Sequence, residues 1–244
     1  MTPRIFWTSL FYGPHADYAA RLLGSLDPTG MPFFVSFLLH DVCDETRKLA
    51  YDWGRNGATV WSATGPATKA NALRWAIARA AQAGCTHLIW TDDDTWFPDL
   101  PVFVEAVKGF VDADYDLGGK EYRIPLRGLQ HKALEKQFPD DAFKPREVAR
   151  FPTGGCWFAK ISRLQEIGFP FFGMGHKGED YILGLLAHRL RWRIAYFERG
   201  FTVNAAIGKS HSTAKTRGAN PRHWGEDGET RAHDCIHEVL YARV

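Results

Sequence analysis

The 244-residue chain is 45% hydrophobic and 24% charged, which is typical of a soluble globular protein with a sizeable core. Its longest apolar stretch, residues 33–39, is far too short to span a bilayer, and we identify no signal peptide, so we expect a cytoplasmic protein. The four cysteines are widely spaced and contain no CxxC pair, which indicates reduced structural thiols and argues against a disulfide framework.

The net charge of +2 is unevenly distributed along the chain. Residues 1–119 hold 9 Lys and Arg against 14 Asp and Glu, whereas residues 120–244 hold 21 against 14. Such an asymmetry favours an anionic partner for the second half. The alternative is that most of these charges are simply solvated surface.

Short apolar runs alternate with amphipathic stretches through the first half of the chain. Strands are predicted at residues 4–11, 33–39, 58–62 and 86–91. Helices are predicted at residues 15–26, 44–54, 67–83 and 102–111. We expect Asp44 to cap the second helix and Gly84 to end the third. This alternation predicts a mostly parallel α/β sheet.

The second half is less regular. Leu117-Gly118-Gly119 is predicted to end a strand, and residues 124–150 are predicted to form a long polar loop or subdomain. An apolar run follows Gly154-Gly155, and Ser162 is expected to cap a short helix. The remaining predictions are a helix at 179–190, a strand at 192–197, a mobile segment at 208–229 and a C-terminal helix at 230–241.

Three aspartates, Asp92, Asp93 and Asp94, directly follow the apolar strand of residues 87–91. Charge is costly in a core, but not at the crevice beyond the strand ends of an open α/β sheet, where ligands bind. Alternate residues of an extended segment point the same way, so Asp92 and Asp94 are expected to share a divalent cation while Asp93 points elsewhere. The alternative is a helix-capping role, because Asp94 and Asp99 precede an apolar helical stretch.

Several other segments fall in a familiar order around this triplet. Asp41 ends the second strand, Lys69-Ala70-Asn71-Ala72-Leu73 matches the KA-x-AL part of a GKA-x-AL helix start, with Thr68 in place of the glycine, and Gly154-Gly155 precedes a strand. Gly178-Glu179-Asp180 then opens a helix with Leu183 three residues later. With Asp92-Asp93-Asp94 as a DXD element, the chain resembles glycosyltransferases of the GT-A fold, closest to the family 2 type, over residues 4–197.

The resemblance implies a GT-A (Rossmann-like) fold with a mostly parallel central sheet, flanking helices, an irregular acceptor-side region and a C-terminal helix. It implies one domain over residues 1–244, with a donor half at 1–119 and an acceptor half at 120–244. The implied catalytic residues are Asp180, as the base, and Glu179. The implied metal ligands are Asp92, Asp94 and His211. The implied donor-binding residues are Asp41, Asp44, Lys69, Asn71, Asp93, Lys209, Lys215 and Arg217.

The chemistry implied by the resemblance is metal-dependent transfer from a nucleotide sugar, with a UDP-sugar favoured. A bound Mn²⁺ or Mg²⁺ neutralises the departing diphosphate, and a carboxylate such as Asp180 takes the acceptor proton, which leads to inversion. Taken alone, Glu179-Asp180 is an acidic pair suited to a helix N-terminus, and His211 is a loop histidine. The first strand departs from the family in ending Phe11-Tyr12, which leaves the nucleotide open; either ring could stack on a base.

The acceptor is open between several classes. Residues 199–223 hold five basic residues and no acid, and residues 120–150 hold eight basic residues against five acids. This pattern favours a soluble anionic acceptor, and a hydroxymethylated pyrimidine in DNA is one candidate. An anionic glycan, a lipid-linked sugar and a protein are the alternatives, and the basic residues could instead serve only the donor diphosphate. Two other readings of the site are a non-catalytic nucleotide-sugar binding module and a nucleotidyltransferase.

Overall fold

The computed structural model describes residues 4–27, 31–63, 69–125, 148–170 and 179–203. The strands are β1 (Ile5–Tyr12), β2 (Phe34–His40), β3 (Thr59–Ala63), β4 (His87–Asp92), β5 (Leu117–Pro125), β6 (Val148–Lys160) and β7 (Ile194–Tyr196). The helices are α1 (Ala16–Gly24), α2 (Asp44–Gly54), α3 (Lys69–Gln82), α4 (Leu100–Asp112), α5 (Ile161–Glu166) and α6 (Glu179–Arg189).

The seven strands form one sheet in the order β3-β2-β1-β4-β6-β5-β7. The first four strands of the chain pair in parallel, and β7 pairs in parallel with β5. Strand β6 runs antiparallel to both of its neighbours, β4 and β5. The predicted mostly parallel α/β sheet is therefore confirmed.

Apolar cores cover both faces of the sheet. Side chains of β1 alternate between them, because successive residues of a strand point to opposite faces. Phe6 and Leu10 belong to the core that includes α3, α5 and α6, whereas Trp7 and Phe11 belong to the core that includes α1, α2 and α4. Burial on both faces explains why the strands are nearly continuous apolar runs.

Strand β5 begins, not ends, at Leu117, so the prediction that Leu117-Gly118-Gly119 closes a strand is wrong. Gly119 has φ 153° and lies against the partner strand, where an added Cβ would meet the carbonyl oxygen of Cys156 at 2.8 Å. The glycine therefore permits close backbone approach at a bulge within the strand and does not mark a turn.

Two predicted helix caps are displaced by one or two residues. Helix α2 includes Asp44, and Cys43 is its N-cap. Helix α5 begins at Ile161 with Lys160 as N-cap, so Ser162 lies within the helix. In both cases the N-cap side chain makes no capping hydrogen bond. Asp99 does cap α4, since its side chain accepts a hydrogen bond from the N–H of Val102 at 3.2 Å.

Several predicted segments lie outside the described residues: the centre of the predicted loop at 126–147, the segment at 208–229 and the helix at 230–241. Within the described ranges, no helix combines the length and apolar character that a membrane span requires.

Candidate active site

The carboxyl ends of β1, β2 and β4 meet at one edge of the sheet. Tyr12 is opposite His40, and Leu10 is opposite Asp92, in parallel register. Strand β6 returns from this edge in antiparallel register with Thr91 opposite Cys156. The sheet therefore brings the aspartate triplet beside Gly154-Gly155, as expected for ligand-binding residues at the strand ends of an α/β sheet.

Lys69, the first residue of α3, connects three separate parts of this edge. Its Nζ lies 2.7 Å from Oδ2 of Asp92 and 2.7 Å from Oε1 of Glu179, and it donates to the carbonyl oxygen of Gly154 at 3.0 Å. Only 12% of the Lys69 side chain is exposed. One ammonium group thus joins the end of β4, the start of α6 and the glycine pair of β6.

Asp180 is fixed from the other side of Gly154. The N–H of Gly154 donates to Oδ2 of Asp180 at 2.9 Å. Asp180 is half-buried, whereas its neighbour Glu179 is buried. Both residues lie on α6, which packs closely on β6 at Gly184. A Cβ added to Gly184 would lie 2.1 Å from Cβ of Phe151, so only a glycine fits there. Asp180 is therefore the more exposed member of the acidic pair.

The electrostatics of this cluster are those of buried, paired charges. The pKa of Glu179 is raised to about 7, chiefly by burial and also by the charges of Asp180 and Asp92, while Lys69 acts to lower it. Burial would lower the pKa of Lys69, but the carboxylates of Asp92 and Glu179 outweigh it and raise that pKa. Lys69 is therefore held as a cation, and Glu179 is held near the point of protonation at neutral pH.

The three aspartates have different surroundings. Asp92 accepts from Nε1 of Trp90 at 3.0 Å as well as from Lys69. The Asp93 side chain is buried and accepts from the N–H of Tyr12 at 3.2 Å, so it points towards β1. Asp94 is also buried. Asp92 is the most exposed of the three, with 23% of its side chain accessible.

The ligand chemistry at this edge suits a hard divalent ion, because carboxylate oxygens are what Mg²⁺ and Mn²⁺ prefer. Lys69 would share Asp92 with such an ion. Across the described ranges, no three His, Cys, Asp or Glu side chains are grouped closely enough to form a metal site by themselves. His211 lies outside the described residues, so the set of Asp92, Asp94 and His211 stays a prediction.

The expected nucleoside-binding residues lie at the ends of β1 and β2 and on α3. Tyr12 is stacked on His40, with ring centroids 5.1 Å apart and planes at 21°. Asp41 is exposed with φ 50°, and Asp44 is exposed at the start of α2. Asn71 is also exposed, on α3, and accepts from Arg74 at 2.7 Å.

Phe11 cannot stack on a ligand base, which corrects one of the two aromatic candidates. Its side chain is fully buried and meets Phe37 edge to face, with centroids 5.5 Å apart. In a strand covered on both faces, the residue before the exposed end still belongs to the core. Tyr12, which is half-buried, is the more exposed aromatic side chain of this pair.

The structure adds residues that sequence reasoning missed. Trp90 donates to Asp92 from two positions earlier in the same strand, and period-two alternation is a signal that could have found it. The carbonyl oxygen of Gly155 accepts from Oγ1 of Thr95 at 2.6 Å. Val203, the last described residue, lies beside the glycine pair, since a Cβ added to Gly155 would lie 3.1 Å from its Cβ. Lys209, Lys215 and Arg217 lie outside the described residues.

Known proteins match this chain by structure and not by sequence. No protein-family model matches the sequence, and no curated protein matches it. Solved structures do match. Mannosyltransferase PcManGT from Pyrobaculum calidifontis, in complex with GDP-Man and Mn²⁺, is 15% identical with a TM-score of 0.62, over 99% of this chain and 71% of that one.

Two further matches have similar scores. Glucosyl-3-phosphoglycerate synthase from Mycobacterium tuberculosis, in complex with Mn²⁺, UDP and phosphoglyceric acid, is 18% identical with a TM-score of 0.56, over 99% of this chain and 78% of that one. S. aureus TarS in complex with UDP-GlcNAc is 14% identical with a TM-score of 0.55, over 85% of this chain and 60% of that one. Likeness at this identity shows the fold, and it confirms that the chain has the GT-A fold that its sequence resembles.

Proposed function

We propose that the protein is a metal-dependent glycosyltransferase that moves a sugar from a nucleoside-diphosphate sugar to an acceptor hydroxyl. The observation that carries the proposal is the meeting of four separate segments at Lys69, with Asp92, Glu179 and Gly154 within 3.0 Å of its Nζ and Asp180 bonded to Gly154. This cluster lies at the ligand-binding edge of a fold shared with structures that hold Mn²⁺ and nucleotides.

We place the donor site at the same edge of the sheet, where β1, β2 and β4 end. Asp92 and Asp94, completed by His211, would hold Mn²⁺ or Mg²⁺, which supplies charge neutralisation for the departing diphosphate. The remaining donor residues are Asp41, Asp44, Asn71 and Asp93 for the nucleoside, and Lys209, Lys215 and Arg217 for the diphosphate. The half-buried ring of Tyr12 is an aromatic candidate for stacking on the base, and UDP occurs in two of the three structures compared above, so a UDP-sugar is the favoured donor.

Asp180 is the proposed general base. It is half-buried at the start of α6, and the N–H of Gly154 fixes one carboxylate oxygen while the side chain stays accessible. It would take the proton of the acceptor hydroxyl as that oxygen attacks the anomeric carbon from the side opposite the diphosphate, which inverts the anomeric centre. Glu179 is buried against Lys69, which supports a role in holding Asp180 in place.

The proposed acceptor is anionic. The basic residues of 120–150 and 199–223 support this, and one matched structure holds phosphoglyceric acid together with UDP. A hydroxymethylated pyrimidine in DNA is one such acceptor, and it rests on the basic charge alone. Glycans, lipid-linked sugars and proteins are the alternatives, and a screen of each class with a radiolabelled donor would separate them.

The donor proposal is tested by thermal unfolding with UDP-, GDP-, ADP- and TDP-sugars, each with Mn²⁺ and with EDTA. A ligand that binds only the native state raises the melting temperature. We expect the sugar donor of one nucleotide to raise the melting temperature when Mn²⁺ is present and to leave it unchanged when EDTA is present. If none of these donors shifts the melting temperature, the chain shares only the fold of these enzymes.

The base proposal is tested with Asp180→Asn. We expect donor binding to be retained and sugar transfer to fall by about 10²- to 10⁴-fold, the usual contribution of a positioned general base. Asp112→Asn, at the exposed end of α4, is the matched control. Near-full transfer by Asp180→Asn would show that the base lies elsewhere, and a wild-type protein that binds donor without transfer or hydrolysis would be a binding module.

A further inference from the structure

We infer that Lys69 and Gly154 are positioning residues that hold Asp180 in register with Asp92, and that Lys69 does not bind the donor diphosphate. The inference rests on the proposed function, since it assigns roles within the same site. It differs from the expectation raised by the resemblance, in which Lys69 is a donor-binding residue.

The surroundings of the Lys69 ammonium carry the first step. Three protein oxygens lie around its Nζ, at 2.7 Å from Asp92, 2.7 Å from Glu179 and 3.0 Å from the carbonyl of Gly154. An ammonium group has three N–H donors, so three such acceptors match its full donor set. Contact with a phosphate oxygen would require Lys69 to give up one of these bonds in a site where 12% of its side chain is exposed.

Gly154 extends the connection to the base. Its carbonyl oxygen accepts from Lys69, and its N–H donates to Oδ2 of Asp180 at 2.9 Å. The two peptide groups that flank its Cα are rigid planes. A continuous path of charged and backbone hydrogen bonds therefore runs from Asp92 through Lys69 and Gly154 to Asp180.

The absence of a side chain at residue 154 is part of this arrangement. An added Cβ would lie 3.1 Å from Oδ2 of Asp180, 3.1 Å from Oε1 of Glu179 and 3.2 Å from Nζ of Lys69. Each distance is shorter than an ordinary van der Waals contact, so all three groups would have to move by a few tenths of an ångström. Gly154→Ala thus disturbs the geometry of the cluster and removes none of its charges.

The charge of Lys69 has a positional effect as well. Glu179 and Asp180 begin α6 as adjacent carboxyl groups, and Asp92 approaches them from β4. The Lys69 cation lies between Asp92 and Glu179, where it screens their repulsion and keeps the first turn of α6 against the strand edge. Loss of this cation should displace that turn and Asp180 with it.

The test uses Lys69→Met and Gly154→Ala in the full chain, with two matched controls. Lys108→Met replaces an exposed lysine of α4, and Gly109→Ala adds a methyl group that meets nothing within 4 Å. For each variant, calorimetry measures Mn²⁺-dependent binding of UDP, or of the nucleoside diphosphate that the thermal-unfolding screen identifies, and binding of the corresponding nucleoside. Kinetics measure kcat and KM for transfer, and hydrogen exchange measures protection of residues 179–183.

We expect Lys69→Met and Gly154→Ala to bind the nucleoside diphosphate within about threefold of wild type, so that little binding energy is lost. We expect kcat to fall by at least about 100-fold, as a misplaced catalytic group requires. Residues 179–183 should exchange faster in both variants and at the wild-type rate in both controls.

Three results would overturn the inference. The first is weaker binding of the diphosphate, but not of the nucleoside, in Lys69→Met, which would show a direct phosphate contact. The second is an unchanged kcat in both variants. The third is unchanged exchange of residues 179–183, which counts against the inference whether or not transfer is observed. Failure of the wild-type protein to bind any nucleoside diphosphate would instead refute the proposed function, and the exchange measurement would still decide the positioning role.

Discussion

Glu179 provides the sharpest prediction about the site, because its protonation is linked to folding. It is 4% exposed and lies 2.7 Å from Nζ of Lys69. Burial raises its pKa from 4.5 to about 7 in the folded protein. Glu179→Gln replaces the carboxyl group with a neutral amide of the same shape and removes this titration.

The sign of the effect follows from proton binding. Between pH 4.5 and about 7 the folded protein keeps a proton on Glu179 that the unfolded chain has lost, so wild-type stability falls as the pH rises through this range. The shift from 4.5 to about 7 corresponds to roughly 3 to 4 kcal/mol, at about 1.4 kcal/mol for each pKa unit, and about 3 kcal/mol of it falls between pH 4.5 and 8. Glu179→Gln lacks this loss.

Urea unfolding of wild type and Glu179→Gln from pH 4.5 to 8, in EDTA, measures the effect. Subtracting the two free energies of unfolding cancels the groups that titrate alike in both proteins. The variant should gain about 3 kcal/mol relative to wild type as the pH rises from 4.5 to above 7, whatever the offset at low pH. Glu198→Gln, at an exposed position, is the matched substitution. A difference that stays flat, or falls with pH, would refute the assignment of a buried, proton-binding Glu179.

Two further predictions concern the packing of the fold. Gly184→Ala should destabilise the fold by about 3 kcal/mol in chemical unfolding, because the added Cβ would lie 2.1 Å from Cβ of Phe151; Gly109→Ala, in open space, should stabilise by about 0.5 kcal/mol. Asp116→Ala should cost about 3 kcal/mol, because Asp116 is buried and accepts from two basic side chains and a backbone N–H. Asp112→Ala, at an exposed position, is its control, and equal unfolding curves for the two aspartate variants would contradict the prediction.

Within the described residues, local patterns were sufficient for most of the secondary structure. Strand β4 was predicted at 86–91 and spans His87–Asp92, and helix α3 was predicted at 67–83 and spans Lys69–Gln82. Hydrophobic periodicity is a property of neighbouring residues, so it can be read without knowing the partners. Strand β5 was misjudged because a glycine that marks a turn and one that admits a neighbouring backbone look alike in a sequence.

The sequence by itself determined the class of the fold and the residue types of the site: an α/β sheet, an aspartate triplet after a strand, and an acidic pair that opens a helix. The tertiary structure decided which of them meet. Strand β6 inserts antiparallel between β4 and β5, and this places Gly154 against Lys69, 85 residues earlier in the chain, and against Asp180. The tertiary structure also buries Phe11 and Glu179, whereas Tyr12 and Asp180 remain partly exposed. Contacts of this kind depend on how distant elements pack, and no local pattern of residues encodes which oxygen a lysine will reach.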